Sequence, residues 1–306
     1  MSTPPASATW HGQARLRFSL AAADPERGSL HQGWATAPLK LQRAFRQSDG
    51  RCELPLLHTA GGLVGGDRLT IEADLDAGSR ALLTSVAAQK VYGSVGRSRR
   101  APAGSWARQE LRFVLAAGAD LEWLPQELVL YGGGLFEQDL RVELSEGASF
   151  LAMEVVRLGL TAAGEDLGPG RWRSALEIRR QTPIGPRWEL VDRLELGGAA
   201  LDSAHGMAGQ PVFGSLVWAS PAPLALEQRD GLLEACRQDR SGLEGDMACG
   251  ALDQGLVARY RGPSSQAARF WFTRIWQRIR LSQGLPPPEL PRVWPFQEQP
   301  LLSCGS

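Results

Sequence analysis

Three carboxylate residues stand in segments of the sequence that are otherwise apolar. Asp192 shares its phase with the apolar positions of an alternating segment, 188–196, and Glu154 lies in the apolar run 150–156. Asp67 follows directly on a glycine-rich loop. Because alternate residues of a strand face the same side, Asp192 is predicted to point toward a core. Burying an unpaired carboxylate is costly, so each of the three requires a cation, a proton, water or a metal ion.

Three kinds of chemistry are compatible with such carboxylates. The first is a set of buried ion pairs, because Arg68, Arg157 and Arg193 lie close to them in sequence. The second is a catalytic pair, as in glycoside hydrolysis, where one carboxyl group acts as acid and the other as base or nucleophile. The third is a polar path for a cation, since carboxylates and water are weak, exchangeable oxygen ligands. Sequence spacing alone leaves these alternatives open.

The glycine-rich loop 61–66 does not have the residues of a phosphate-binding loop. Such a loop needs a lysine followed by Ser or Thr, because the lysine neutralises phosphate and the hydroxyl binds magnesium. Asp67 and Arg68 stand there instead, and an aspartate repels phosphate. Nucleotide binding is therefore not indicated. The alternation that follows in 69–75 predicts a strand leaving the loop.

The composition excludes several classes of partner. The chain has 306 residues with 33 basic and 33 acidic side chains, so no overall field attracts nucleic acid or a membrane surface. The basic stretch 90–108 is interpreted as a solvated or partner-facing loop. Four cysteines and four histidines show no metal-ligand spacing. An export signal and a membrane-spanning run are not recognised, so a cytoplasmic location is expected.

Short alternating segments separated by glycine turns predict a mainly β protein. A weak repeat of strand, glycine turn and strand occurs at 75–82, 115–121 and 144–151. Stacked units of this kind would bury a continuous core between layers, whereas the alternative is a sandwich of hairpins. The sequence does not separate the two, and no linker divides the chain, so one domain over 1–306 is expected.

Two helices are predicted near the C-terminal end. The first covers about 226–237, and the second covers about 264–283 before an extended proline-rich tail, 285–306. Trp294 and Phe296 of this tail are expected to dock on the body or on a partner. The residues predicted to face inward are Leu226, Leu233 and Cys236 in the first helix and Phe272, Ile275, Trp276 and Ile279 in the second.

Seven motifs together resemble the UreD family of urease accessory proteins, also called UreH. They occur in the family's order and extend from near the N-terminus to near the C-terminus, so they are more specific together than singly. In chain order they are Leu56-Leu57-His58-Thr59-Ala60-Gly61-Gly62-Leu63-Val64-Gly65-Gly66-Asp67, Ala81-Leu82-Leu83-Thr84, Ala88-Gln89-Lys90-Val91-Tyr92, Leu121-Glu122-Trp123-Leu124-Pro125-Gln126-Glu127, Leu151-Ala152-Met153-Glu154, Arg157-Leu158-Gly159 and Pro291-Arg292-Val293-Trp294.

The resemblance implies a non-enzymatic maturation factor that helps load nickel into urease. It implies a complex with UreF and the GTPase UreG that docks on apo-urease, and nickel that binds only transiently, with no tightly bound cofactor. The implied fold is mainly β, an irregular right-handed β-helical or stacked-sheet architecture with about two α-helices. An internal tunnel is implied, and its polar positions correspond to Asp67, Glu154 and Asp192. Gln89 stands where some relatives have a small hydroxyl residue.

Two further functions compete with a nickel-conducting scaffold. One is a purely structural adaptor that recruits the GTPase while its acids stabilise the interior. The other is a β-helical carbohydrate hydrolase. Trp271 and Trp276 lie in or beside the helix stripe, which favours packing over sugar stacking. Amide substitutions of the three acids separate a conduit from an adaptor.

Overall fold

Eighteen strands, three α-helices and a short 3-10 helix (Thr161–Ala163) form the regular structure of residues 9–21, 28–294 and 298–301, which the computed structural model describes. The helices are α1 (Ala199–Asp202), α2 (Leu226–Gln238) and α3 (Ser265–Ser282). The strands are β1 (His11–Leu20), β2 (Ser29–Ala35), β3 (Leu39–Leu41), β4 (Phe45–Arg46), β5 (Cys52–His58), β6 (Arg68–Leu75), β7 (Arg80–Ser85), β8 (Gln89–Val91), β9 (Ala107–Leu115), β10 (Asp120–Leu124), β11 (Leu128–Leu130), β12 (Leu135–Leu144), β13 (Ser149–Leu158), β14 (Arg171–Thr182), β15 (Gly185–Leu196), β16 (Val212–Ala219), β17 (Asp246–Leu252) and β18 (Gly255–Gly262).

The strands form two sheets that pack face to face. The outer sheet has seven strands in the order β15-β14-β12-β9-β6-β1-β2. The central sheet has eleven, with the main path β17-β18-β16-β13-β10-β7-β5-β3. One apolar core lies between the two sheets, and a second lies between the central sheet and the helices α2 and α3. The prediction of a mainly β protein is confirmed.

Successive strands of the middle of the chain alternate between the two sheets. From β5 to β7 and from β9 to β10 the chain crosses between the sheets, and strands of the same sheet pair in parallel. The three glycines of the sequence repeat, Gly78, Gly118 and Gly147, occupy the turns between sheets with φ near +67°. These turns stack, because the Gly78 N–H donates to Ala117 O at 2.9 Å. The repeat therefore marks stacked strand–turn–strand units here, not hairpins.

The alternating pattern fails at Trp188. Ile178 of β14 pairs with Leu190 of β15, but Arg179 pairs with Trp188, so Glu189 is an extra residue in a β-bulge. Because of the extra residue, the side chains of β15 that precede the bulge face the opposite side from the one that the alternation predicts. Trp188 is consequently 54% exposed on the outer face, where the prediction placed it inside.

The two predicted helices are observed, with one correction. In α3 the predicted stripe is buried, and the Ser264 side chain caps the helix by accepting a hydrogen bond from the Ala267 N–H at 3.1 Å. In α2 the side chains of Leu233 and Cys236 are buried, but Leu226 is 68% exposed. Burial begins at Leu232, so the first turns of α2 do not contact the core. The third helix, α1, is a single turn.

A buried ion-pair network fastens α3 to the central sheet. The Arg51 guanidinium lies 2.6 Å from Asp120 Oδ2 and 3.4 Å from both Asp49 Oδ2 and Glu122 Oε2. Arg280 of α3 pairs with Asp49, and its Nε lies 3.6 Å from Glu122 Oε1. Burial raises the pKa of Glu122, and the two guanidinium groups oppose that rise. Two cations thus hold three carboxylates between the sheet and the helix.

The segment after α3 packs on the body as far as it is described. Residues 285–294 contain no helix or strand. Trp294 is buried against Trp276, with ring centroids 5.9 Å apart, and its Nε1–H donates to Thr84 Oγ1 at 2.9 Å. Docking of Trp294 on the body is therefore confirmed, while Phe296 lies outside the described residues. In the described part of the chain no helix is both long and apolar enough to cross a membrane.

Candidate functional site

A row of polar side chains interrupts the apolar inner face of the outer sheet. Gln109 of β9 pairs in register with Gln138 of β12, which pairs with Ser174 of β14. The residues two positions further along, Leu111, Leu140 and Leu176, restore the apolar face. Three neighbouring parallel strands therefore present one polar row to the central sheet.

The central sheet places polar groups opposite this row, around a small cavity. Glu154 of β13, Gln89 of β8 and Ser215 of β16 line it together with Gln109, Gln138 and Ser174. The cavity has a volume of about 60 Å³, above the roughly 10–15 Å³ that a cavity needs to hold one water molecule. Sites for small organic ligands measure roughly 300–1,000 Å³. This space fits water or a single ion and is too small for a sugar ring.

Glu154 is the carboxyl group of this cavity, and its closest partner is an amide. Gln138 Nε2 donates to Glu154 Oε1 at 2.5 Å. Burial raises the pKa of Glu154 to about 7, with Arg259 lowering it and Asp192 raising it further. Glu154 forms no ion pair with the basic side chains of residues 9–21, 28–294 and 298–301. Near neutral pH it is thus poised between the neutral and charged forms.

Asp192 lies beside the cavity and has a cationic partner. Its Oδ2 accepts a hydrogen bond from Arg259 Nη2, and Arg259 Nη1 donates to Ser215 Oγ. The side chains of Asp192 and Arg259 are both 33% exposed. Because Ser215 lines the cavity, this chain of contacts connects Asp192 to the space next to Glu154.

Asp67 lies apart from the other predicted site residues. Its Oδ1 accepts the Trp10 N–H and its Oδ2 accepts the Val64 N–H, both at 2.9 Å. Both oxygens therefore bind backbone and shape the glycine loop. The strand register places Asp67 two strands from Gln138, about 10 Å sideways. Asp67 is 4% exposed and does not line the cavity.

The arginines that lie close to these acids in sequence have other partners. Arg68 Nε lies 3.9 Å from Glu110, and Arg193 pairs with Glu177 on the outer face. Arg157 Nη1 donates to Thr161 Oγ1 at 2.6 Å. Consecutive residues of a strand face opposite sides, so Arg68 and Arg193 cannot reach the acids beside them. The local form of the ion-pair hypothesis is therefore wrong, although Asp192 has a distant partner in Arg259.

Gln109, Gln138, Ser174, Ser215 and Arg259 were not predicted as site residues. The first three could have been found by the signal that identified Asp192. Each is a polar residue in the apolar phase of its strand, as Gln138 is between Phe136 and Leu140. Ser215 and Arg259 depend on the pairing of β16 with β18, which no local pattern gives.

The cavity offers oxygen donors of modest strength. Glu154 supplies a carboxylate, while Gln89, Gln138 and Ser215 supply amide and hydroxyl oxygens. Gln89 Nε2 donates to Lys90 O at 3.2 Å. Such oxygen sets suit weak, exchangeable binding of a divalent cation. Within the described residues, no three His, Cys, Asp or Glu side chains form a group that could hold a metal ion.

Comparisons with known proteins agree on one family. The family model described as UreD urease accessory protein matches residues 11–295. A urease accessory protein UreD from Prochlorococcus marinus (strain MIT 9303) is 63% identical over 293 residues, covering 95% of this chain and 98% of the relative. One from Synechococcus sp. (strain WH7805) is 61% identical, covering 95% and 93%. One from Synechococcus sp. (strain RCC307) is 55% identical, covering 98% and 94%.

Proposed function

Because the chain belongs to the UreD family of urease accessory proteins, we propose that it handles nickel during urease maturation. Family membership implies a role in that maturation. In the proposed function the chain is a non-enzymatic scaffold that binds UreF and UreG, docks on apo-urease in the cytoplasm and passes Ni²⁺ through its interior. Nickel is the cargo of this scaffold and not a resident cofactor.

The observation that carries the proposal is a partly buried carboxyl group that forms no ion pair within the described residues and lines a polar cavity. Glu154 faces a space of ion size, and its pKa is raised to about 7 by burial. A group of this kind gains more than an already paired one when a divalent cation arrives, because its charged form is otherwise unsatisfied.

We propose that Glu154 and Asp192, with Gln89, form the polar path. The cavity contains Glu154 and Gln89, and Asp192 reaches it through Arg259 and Ser215. Asp67 is proposed to act differently, since both of its oxygens accept backbone N–H groups. It shapes the glycine loop that leads into β6.

We also propose that the alternation of strands between the sheets is an irregular right-handed β-helical architecture. Each pass of the chain adds one strand to the outer sheet and one or two strands to the central sheet, and these strands pair in parallel with strands of the previous pass. Such crossovers between parallel strands are right-handed in nearly all proteins.

The test is to coproduce Glu154→Gln and Asp192→Asn variants with urease and its other accessory proteins. The amides keep the shape but remove the charge, so the complex should assemble as in the wild type. Loss of even a partner that orients a metal ligand typically lowers metal affinity roughly 10–100-fold, so loss of a ligand charge should lower the nickel content and activity of urease at least as much. Glu110→Gln, on the outer face, is the matched control and should activate urease normally.

A structural adaptor is the second candidate, and one observation favours it. Asp192 already has a cationic partner in Arg259, as a stabilising ion pair would. An adaptor predicts that both amide variants assemble and load urease to the wild-type level. That result would contradict nickel handling by these residues while leaving the maturation role in place.

A further inference from the structure

Arg259 joins the two sheets beside the cavity. It lies on β18 of the central sheet and donates to Asp192, which lies on β15 of the outer sheet. Its second terminal nitrogen donates to Ser215 of β16, and its guanidinium lies 5.9 Å from the ring centroid of Phe213. One cationic side chain is therefore shared by the acid and the hydroxyl group next to Glu154.

The same guanidinium separates two spaces. Ser215 lines the cavity of about 60 Å³, whereas Arg259 lines a surface groove of about 700 Å³. Leu194 and Phe213 form the groove wall next to Arg259. Because Arg259 donates a hydrogen bond to Ser215, its guanidinium stands between the open groove and the small cavity.

Two acids and one cation meet at this point. Asp192 is near enough to raise the pKa of Glu154, and Arg259 lowers that pKa while donating a hydrogen bond to Asp192. A divalent cation approaching from the groove would compete with the guanidinium for the Asp192 oxygens. Coulomb attraction favours the doubly charged ion once the guanidinium has moved.

We propose that Arg259 is the resident cation of Asp192, and that a divalent metal ion reaches Asp192 and the neighbouring Glu154 only when the Arg259 guanidinium swings away. This inference rests on the proposed nickel handling and adds the residue that positions Asp192 and closes the way from the groove to the cavity. Arg259 acts through Asp192 and Ser215 and is a positioning residue.

The environment of Arg259 permits this exchange. The Asp192–Arg259 pair is one-third exposed, so water can replace each partner at little cost. The adjoining groove has ample room for a guanidinium group. Arg261, two residues further along β18, is held differently: it binds Asp246 at 2.8 Å and the carbonyl oxygens of Ala204 and Gly206 at 2.7 and 2.8 Å. Arg261 thus provides a matched control in the same groove.

Binding of NiSO₄ to the full chain, measured by equilibrium dialysis, tests the proposal. A neighbouring guanidinium changes the proton affinity of a carboxylate by about one to three pKa units, so Arg259→Gln should bind Ni²⁺ at least about tenfold more tightly than the wild type. The double variant Arg259→Gln with Asp192→Asn should return to the wild-type affinity. Arg261→Gln should leave the affinity unchanged, and Arg259→Lys should remain close to the wild type.

The proposal is overturned if Arg259→Gln binds Ni²⁺ no more tightly, or if the gain persists in the Asp192→Asn background. Circular dichroism checks that each variant is folded. If Arg259→Gln unfolds, Arg259→Lys provides the test, because tighter Ni²⁺ binding by a variant that keeps the positive charge would contradict a block by that charge. Urease activation separates this inference from the proposed function. If Glu154→Gln fails to activate urease but Arg259→Gln leaves the affinity for Ni²⁺ unchanged, the inference about Arg259 is wrong and the proposed function stands. If Arg259→Gln binds Ni²⁺ more tightly but Glu154→Gln activates urease normally, the proposed nickel handling is wrong and the exchange at Arg259 stands.

Discussion

Glu122 and Glu154 lie on neighbouring strands of the central sheet and point to its opposite faces. Glu122 faces the helices, where Arg51 and Arg280 approach its oxygens to 3.4 and 3.6 Å. Glu154 faces the outer sheet, where an amide of Gln138 is its hydrogen-bond partner. Burial raises the pKa of both carboxyl groups. Glu122 is buried and Glu154 is partly buried, and the two differ in their counter-charges and in the space beside them.

The difference separates a carboxylate that fastens elements from one that is free to bind something else. Around Glu122 the two arginines are already engaged by three acids, and removing either cation leaves buried negative charge. Glu154 has no ion-pair partner within the described residues, and a cavity of about 60 Å³ adjoins it instead. Burial alone therefore does not identify a functional acid, and the absence of an ion pair together with the adjacent void is what favours Glu154 as the proposed one.

Removing the cation of the fastening network should have the largest effect. Arg51→Met leaves Asp120, Asp49 and Glu122 buried with one cation fewer, which should lower the free energy of unfolding by about 3–5 kcal/mol. Arg259→Met is the control on the other side of the sheet. Its pair is one-third exposed, so the loss should stay below about 1 kcal/mol. Urea unfolding of the two variants measures this, and equal losses would erase the distinction between the regions.

An effect of intermediate size is expected in the pH dependence of stability, where Glu154 should differ from the acids that are held in ion pairs. Its folded-state pKa of about 7 exceeds the ordinary value of 4.5, so the native state holds a proton that the unfolded state releases. Wild-type stability should therefore fall as pH rises from about 4.5 to 7, by about 1–3 kcal/mol from this group. Glu154→Gln lacks that proton, so its stability relative to the wild type should increase across this window and level off above it. Parallel curves for both proteins would contradict the raised pKa.

The smallest effect is expected for Asp67, which belongs with the fastening acids. In Asp67→Asn the amide nitrogen cannot accept the backbone N–H that one carboxylate oxygen now binds, so stability should fall by about 1–2 kcal/mol. Thermal unfolding measures the loss. When coproduced at a permissive temperature, this variant should still activate urease, unlike Glu154→Gln. A folded Asp67→Asn that delivers as little nickel as Glu154→Gln would place Asp67 among the conducting residues.

Local pattern predicted the strands well because one side of each is buried. The alternation at 69–75 and the glycine turns of the repeat correspond to β6 and to three stacked turns between the sheets. The phase of Asp192 and the apolar setting of Glu154 indicated two residues that lie beside one cavity. The same rule fails where the backbone departs from ideal alternation, as at the bulge of Glu189, which turns Trp188 outward.

Partners distant in sequence were beyond local reasoning. Asp67 is held by the backbone of Trp10, and Asp192 by Arg259, 57 and 67 residues away. These contacts follow from which strands pair and in which register. The sequence around Arg51 likewise contains no pattern that predicts its ion pair with Asp120. The network beneath α3 was accordingly missed, although Glu122 was part of a recognised motif.

The order in which the layers are synthesised follows from the position of α3 in the chain. The face of the central sheet that carries Leu124, Leu151 and Met153 emerges from the ribosome more than a hundred residues before the helix that covers it. Until Ser265–Ser282 has been made, that apolar face stays open to water and to other nascent chains. A chain that ends or stalls before residue 265 therefore exposes this apolar face of the central sheet. Slower synthesis lengthens the period in which such a chain can aggregate.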